Sequence, residues 1–150
     1  MSLQNNQYNK LYAKLKAYAR TRGINLYLGD TYAYCPDTQA IILNEKHIGK
    51  LKHLIYLTHE LGHVQQDNSI FHKLKYKGKK IKICLISDLE HEAWRNGLSI
   101  LQDLNASEFI IDSYIKEWAD AWHEYMSVLT KSDTSYINST VKAYAPEWPI

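Results

Sequence analysis

The feature that most constrains this chain is a pair of histidines, His59 and His63, inside a helical hydrophobic pattern. Apolar side chains recur at three- and four-residue spacing across residues 48–67: Ile48, Leu51, Leu54, Ile55, Leu61 and Val64. Side chains four positions apart on a helix face the same way, so both imidazoles can reach one ion. If an ion binds there, the fold must bring a further ligand to this face of the helix.

The residue between them, Glu60, completes a His-Glu-x-x-His sequence. Glu60 lies about 100° around the helix from His59, so its carboxylate is better placed to reach a metal-bound water than to bind the ion. That is the geometry of a general base. Imidazole nitrogens suit zinc, and a catalytic zinc site has three protein ligands and one position left for water. The sequence therefore predicts a hydrolase with one Zn²⁺ per chain and requires a third ligand.

One arrangement of the third ligand is excluded by the residues themselves. In the metzincin pattern a histidine stands six positions after the second motif histidine, but Ser69 occupies that position here. His72, nine positions after His63, is a candidate without a partner on the same helix.

The strongest candidate for the third ligand is Glu90, at the start of another predicted helix. A carboxylate there can face the histidines across a helix–helix contact. Ala93, three positions later, has a side chain small enough for two helices to approach closely. His91 and Glu92 are alternatives in the same segment, so the choice among them stays open at this point.

The rest of the chain predicts a single α+β domain, residues 1–150, with a small antiparallel sheet and about four helices. A first amphipathic helix stops near Gly23, and a fourth begins at the capping residue Ser107 and runs to about residue 130. Residues 24–28, 31–35 and 40–44 have the composition of strands. Residues 48–67 and 88–104 supply the second and third helices.

The net charge of +2 conceals an asymmetry, because residues 1–82 carry a balance of +9 and residues 83–150 a balance of −7. Much of the excess comes from one segment, whose basic residues are Lys73, Lys75, Lys77, Lys79, Lys80 and Lys82. Its alternation with apolar residues predicts an exposed hairpin turning near Lys77-Gly78. The alternative function is a catalytically silent module that uses these lysines to bind nucleic acid or an acidic protein partner.

No apolar run is long enough to cross a bilayer, and Met1–Lys10 has no signal-peptide pattern. We therefore expect a protein that stays in the compartment where it is made and has no membrane partner. The two cysteines, Cys35 and Cys84, lack the spacing of a metal site.

The run His59-Glu-Leu-Gly-His63, followed about thirty residues later by Glu90-x-Glu-Ala93, resembles the gluzincin metallopeptidases. It is most similar to their small single-domain members, the minigluzincins and the ImmA/IrrE-like proteins of bacteria and phages. The resemblance is specific over residues 54–68 and 87–98 and architectural elsewhere. Trp94 departs from it, because an Asn or Asp often follows the Ala in those families.

The resemblance implies a zincin-like fold, Glu90 as the third zinc ligand and cleavage of a protein or peptide. It implies a bacterial or phage-infected cytoplasm and a substrate bound as an extra strand along the sheet edge at residues 31–44. A downstream His or Tyr would stabilise the transition state, and the candidates are His123, Tyr125 and Tyr114. If the lysine-rich segment binds nucleic acid, the alternative resemblance is to the SprT-like proteases, which are also His-Glu-x-x-His proteins and act on DNA-bound proteins. They take a later histidine as third ligand, which would be His72.

Overall fold

The computed structural model describes residues 3–67 and 79–129. Within these ranges the helices are α1 (Leu3–Thr21), α2 (Leu51–Val64), α3 (Lys79–Asp103) and α4 (Glu108–Leu129). The strands are β1 (Asn25–Gly29), β2 (Ala33–Cys35) and β3 (Ala40–Asn44), and a 3₁₀ turn, Glu45–His47, precedes α2. The predicted α+β class, with four helices and a small sheet, is confirmed.

Gly23 and Ser107 were predicted to mark the end of α1 and the start of α4, and local hydrogen bonds confirm both. Gly23 adopts φ +70°, and the N–H groups of Gly23 and Ile24 donate to the carbonyls of Arg20 and Ala19 at 3.1 and 3.0 Å. This is a Schellman end, which favours glycine at that position. At the start of α4 the Ser107 hydroxyl accepts from the N–H of Ile110 at 3.4 Å.

The sheet is mixed, so the prediction of an antiparallel sheet is wrong for one of its two pairings. The strand order is β1-β3-β2; β2 pairs antiparallel with β3, and β1 pairs parallel with it. The chain reverses direction between β1 and β2 and again between β2 and β3, so β1 and β3 point the same way. The central place of β3 buries Ile41 and Leu43 completely. Residues 40–44 therefore cannot form the predicted substrate-binding edge, whereas β2 does lie at an edge.

Helix α2 lies at the centre of the described structure and contacts α1, α3, α4, β2 and β3. For this reason nearly all of its residues from His53 to His63 are buried, including polar ones. His53 keeps both ring nitrogens near hydroxyls: Nδ1 lies 3.3 Å from Tyr32 Oη and Nε2 lies 3.2 Å from Tyr12 Oη. These contacts join α2 to α1 and to the residue before β2, which fixes the orientation of the histidine-bearing helix.

Helix α3 begins nine residues earlier than predicted, at Lys79 rather than residue 88. The hairpin prediction is therefore wrong for residues 79–82, whose backbone is helical. The four residues Lys-Lys-Ile-Lys fit a helix as well as a strand, since a run this short does not distinguish the two periods. Residues 73–78 and the side chains of Lys79, Lys80 and Lys82 lie outside the described residues, and so does His72.

Candidate metal centre

Helices α2 and α3 pack with their backbones in close contact, at Gly62 and Ala93. A Cβ atom added at Gly62 would overlap the carbonyl oxygen of Ala93, so no side chain larger than hydrogen fits there. The Asn96 side-chain N–H also donates to the carbonyl of Gly62 at 3.1 Å. This close approach brings a side chain from the preceding turn of α3 within reach of both motif histidines.

That side chain is Glu90, whose two carboxylate oxygens face the two histidines. His59 Nε2 lies 2.7 Å from Glu90 Oε2, and His63 Nε2 lies 3.2 Å from Glu90 Oε1. All three residues are at least 95% buried. One ligand atom from each of the three lies within 4.8 Å of the others.

The donor set of this cluster fits zinc. Tetrahedral zinc with bonds of about 2.0–2.2 Å places its ligand atoms roughly 3.3–3.6 Å apart, so small side-chain rotations of His59, His63 and Glu90 would accommodate the ion. Two imidazoles and one carboxylate also leave a fourth position open, as catalytic sites do.

The pKa values of Glu90, His59 and His63 are shifted by burial and by their mutual contacts. Burial raises the pKa of Glu90, but the charges of His63 and His59 and their hydrogen bonds outweigh it and hold that pKa well below its usual range. Burial also lowers the pKa of His59. For His63 burial acts in the same direction, but Glu90, the hydrogen bond to it and the charge of Glu60 raise the pKa to about 9. The metal-free cluster therefore keeps one extra proton, on His63.

This proton gives a pH prediction for metal binding. At pH 6 His63 is protonated, so zinc entering through His63 Nε2 should release at least about one proton per ion. Because the proton competes with zinc, affinity should rise about tenfold per pH unit between pH 6 and 8. Titration calorimetry in two buffers of different ionisation enthalpy measures the released proton. A heat of binding independent of the buffer at pH 6 would show that His63 is neutral beforehand.

The alternative ligands in α3 have other partners. His91 Nδ1 accepts from the indole N–H of Trp118 at 3.0 Å, and its ring contacts Trp122, so it faces α4. Glu92 accepts from the side chain of Gln66 at 3.2 Å. Of the candidates that the structure describes, Glu90 is the residue brought to both histidines.

Glu60 is 94% buried on α2. Glu60 and Glu90 both contribute to the raised pKa of Tyr114, after burial as the main cause, which places the α4 residue Tyr114 close to the cluster. The Tyr114 hydroxyl donates to the carbonyl of Trp94 at 2.7 Å. His123 is exposed on α4, outside the buried cluster, and the side chain of Tyr125 is not among those described. Their role in transition-state stabilisation stays a prediction.

Sequence reasoning missed two residues that contact the histidines. Gln66 Oε1 lies 2.7 Å from His63 Nδ1, and the indole of Trp94 stacks on the His59 ring with centroids 4.2 Å apart. The signal was present in the spacing, because Gln66 follows His63 by three residues and Trp94 follows Glu90 by four.

No protein-family profile, curated protein or solved structure matches this chain. Among the described residues, no helix combines the length and the apolar character needed to span a membrane.

Proposed function

We propose that this protein is a zinc-dependent metallopeptidase that cleaves a peptide bond in a protein or peptide substrate. The observation that carries the proposal is the convergence of His59, His63 and Glu90 in a buried cluster on two helices, with Glu60 one position from His59. The donor types, their number and the adjacent carboxylate are what metal-assisted hydrolysis requires.

His59, His63 and Glu90 would hold one Zn²⁺, which supplies Lewis-acid polarisation of the scissile carbonyl and makes water nucleophilic near neutral pH. Glu60 accepts a proton from the attacking water as the water oxygen bonds to the carbonyl carbon. Glu60 then donates that proton to the leaving amine as the C–N bond breaks. The burial of Glu60 keeps bulk water from competing for the proton.

The position of strand β2 favours a peptide substrate over a small molecule. It lies at a sheet edge and contacts α2, the helix of the motif. An extended substrate could pair with the main-chain groups of such an edge. We place this activity in a bacterial or phage-infected cytoplasm, in line with the resemblance to minigluzincins.

The first test is metal stoichiometry by native mass spectrometry on protein purified without chelators. We expect one zinc per wild-type chain and loss or strong weakening of binding in Glu90→Ala, because removal of Glu90 leaves two protein ligands. Glu108→Ala, an exposed glutamate on α4, is the matched control and should keep one zinc.

Two outcomes contradict parts of the proposal. Absence of zinc in the wild type, even after zinc is added back, would reject the hydrolase and favour the binding module. Full retention of zinc in Glu90→Ala would keep the hydrolase but reject Glu90 as a ligand, and His72 would be substituted next.

A further inference from the structure

The two histidines of the cluster differ in the environment of Nδ1, the ring nitrogen that does not contact Glu90. His63 has a hydrogen-bond partner for that nitrogen, Gln66, at 2.7 Å. His59 Nδ1 is buried and has no hydrogen-bond partner among the residues that the structure describes. The His59 ring is instead covered by the indole of Trp94.

The orientation of the Gln66 amide is fixed by the groups around it. Its nitrogen donates to the carbonyl of Leu89 at 2.8 Å and to Glu92 Oε1 at 3.2 Å. Both are acceptors, so the amide nitrogen must face them and the amide oxygen must face His63. An oxygen at hydrogen-bond distance from Nδ1 requires that Nδ1 carry the hydrogen.

This contact decides which nitrogen of His63 is available to an ion. A neutral imidazole with its hydrogen on Nδ1 has its lone pair on Nε2, the atom that lies 3.2 Å from Glu90. The hydrogen bond also restrains rotation of the ring. Because Gln66 is 94% buried, this restraint is not diluted by solvent.

Gln66 also joins the two helices that supply the cluster. It follows the C-terminal end of α2, yet its amide nitrogen is held by α3, at the residue directly before Glu90 and at Glu92. A shift of α3 relative to α2 would therefore break these hydrogen bonds as well as separating Glu90 from the histidines.

We infer that Gln66 is a positioning residue that orients His63 for metal binding through Nε2 and couples that orientation to the helix of Glu90. The inference rests on the proposed metal site and adds a residue to it. Contacts of this kind around metal ligands change metal affinity by roughly 10–100-fold when they are removed.

The test compares the zinc affinities of the wild type, Gln66→Met and Gln65→Met by competition with a chromophoric chelator. Methionine has nearly the length of glutamine but lacks the amide oxygen that accepts the hydrogen bond from His63 Nδ1. Gln66→Met should therefore lose about 10–100-fold in zinc affinity. Gln65 is the adjacent glutamine, exposed and donating to Tyr18 Oη at 2.8 Å, so Gln65→Met should change affinity less than about twofold by comparison. The visible absorption of bound Co²⁺ should change in Gln66→Met alone.

A measurement on the wild type guards against simple misfolding of the variant. In zinc-loaded wild-type protein, ¹⁵N NMR of the His63 ring should show hydrogen on Nδ1 and the metal on Nε2, as the contact with Gln66 requires. Metal on Nδ1 of His63, or wild-type affinity in a folded Gln66→Met, would overturn the positioning role while leaving the hydrolase intact. A wild type that binds no metal would overturn both.

Discussion

Glu60→Gln should lose hydrolysis by about 10²–10⁴-fold while keeping one zinc per chain. The amide has nearly the shape of the carboxylate but cannot accept a proton from water at neutral pH. The metal ligands are separate side chains on α2 and α3, so the cluster of His59, His63 and Glu90 should persist. Activity is measured as new amino termini produced from a proteome-derived peptide mixture, with zinc counted by native mass spectrometry on the same preparations.

Glu108→Gln is the matched control, since it makes the same chemical change at an exposed position in the first turn of α4. It should cleave as the wild type does. Cleavage by Glu60→Gln at the wild-type rate would remove Glu60 from the mechanism. Loss of zinc together with activity would instead show that Glu60 supports the metal site.

Gly62→Ala should destabilise the fold by about 1–3 kcal/mol or more, although alanine favours a helix by about 1 kcal/mol over glycine. The added methyl group would overlap the main-chain carbonyl of Ala93, and a backbone atom cannot rotate away. Helix α3 must therefore shift from α2. The free energy of unfolding in urea, measured on metal-free protein, gives the magnitude.

The same shift should weaken zinc binding, because Gly62 lies between the two histidines and Ala93 lies one turn after Glu90. Gln102→Ala, at an exposed position near the end of α3, introduces alanine without a packing change and should stay within about 0.5 kcal/mol of the wild type. Wild-type stability in Gly62→Ala would mean that the two helices are farther apart than described.

Several features of this protein were predictable from the sequence because they depend on neighbours along the chain. The periodicity of α1, α2 and α4 is local, and so are the stop at Gly23 and the cap at Ser107. The shared face of His59 and His63 follows from the pitch of one helix. The small side chain of Ala93 also indicated a point where two helices could approach closely.

Other features were decided by tertiary structure, because they depend on residues far apart in sequence. The composition of the strands could not predict that β3 lies between β1 and β2, or that β1 pairs parallel with β3. Strand order and direction depend on the path that the connecting segments take between the strands. Sequence reasoning from the residues left Glu90, His91 and Glu92 open, and the packing of α3 between α2 and α4 separates them. Glu90 faces the histidines, Glu92 reaches Gln66, and His91 faces Trp118. Consecutive side chains on a helix point about 100° apart, so Glu90, His91 and Glu92 face three different directions. The positions of the neighbouring helices determine which of the three side chains meets the histidines.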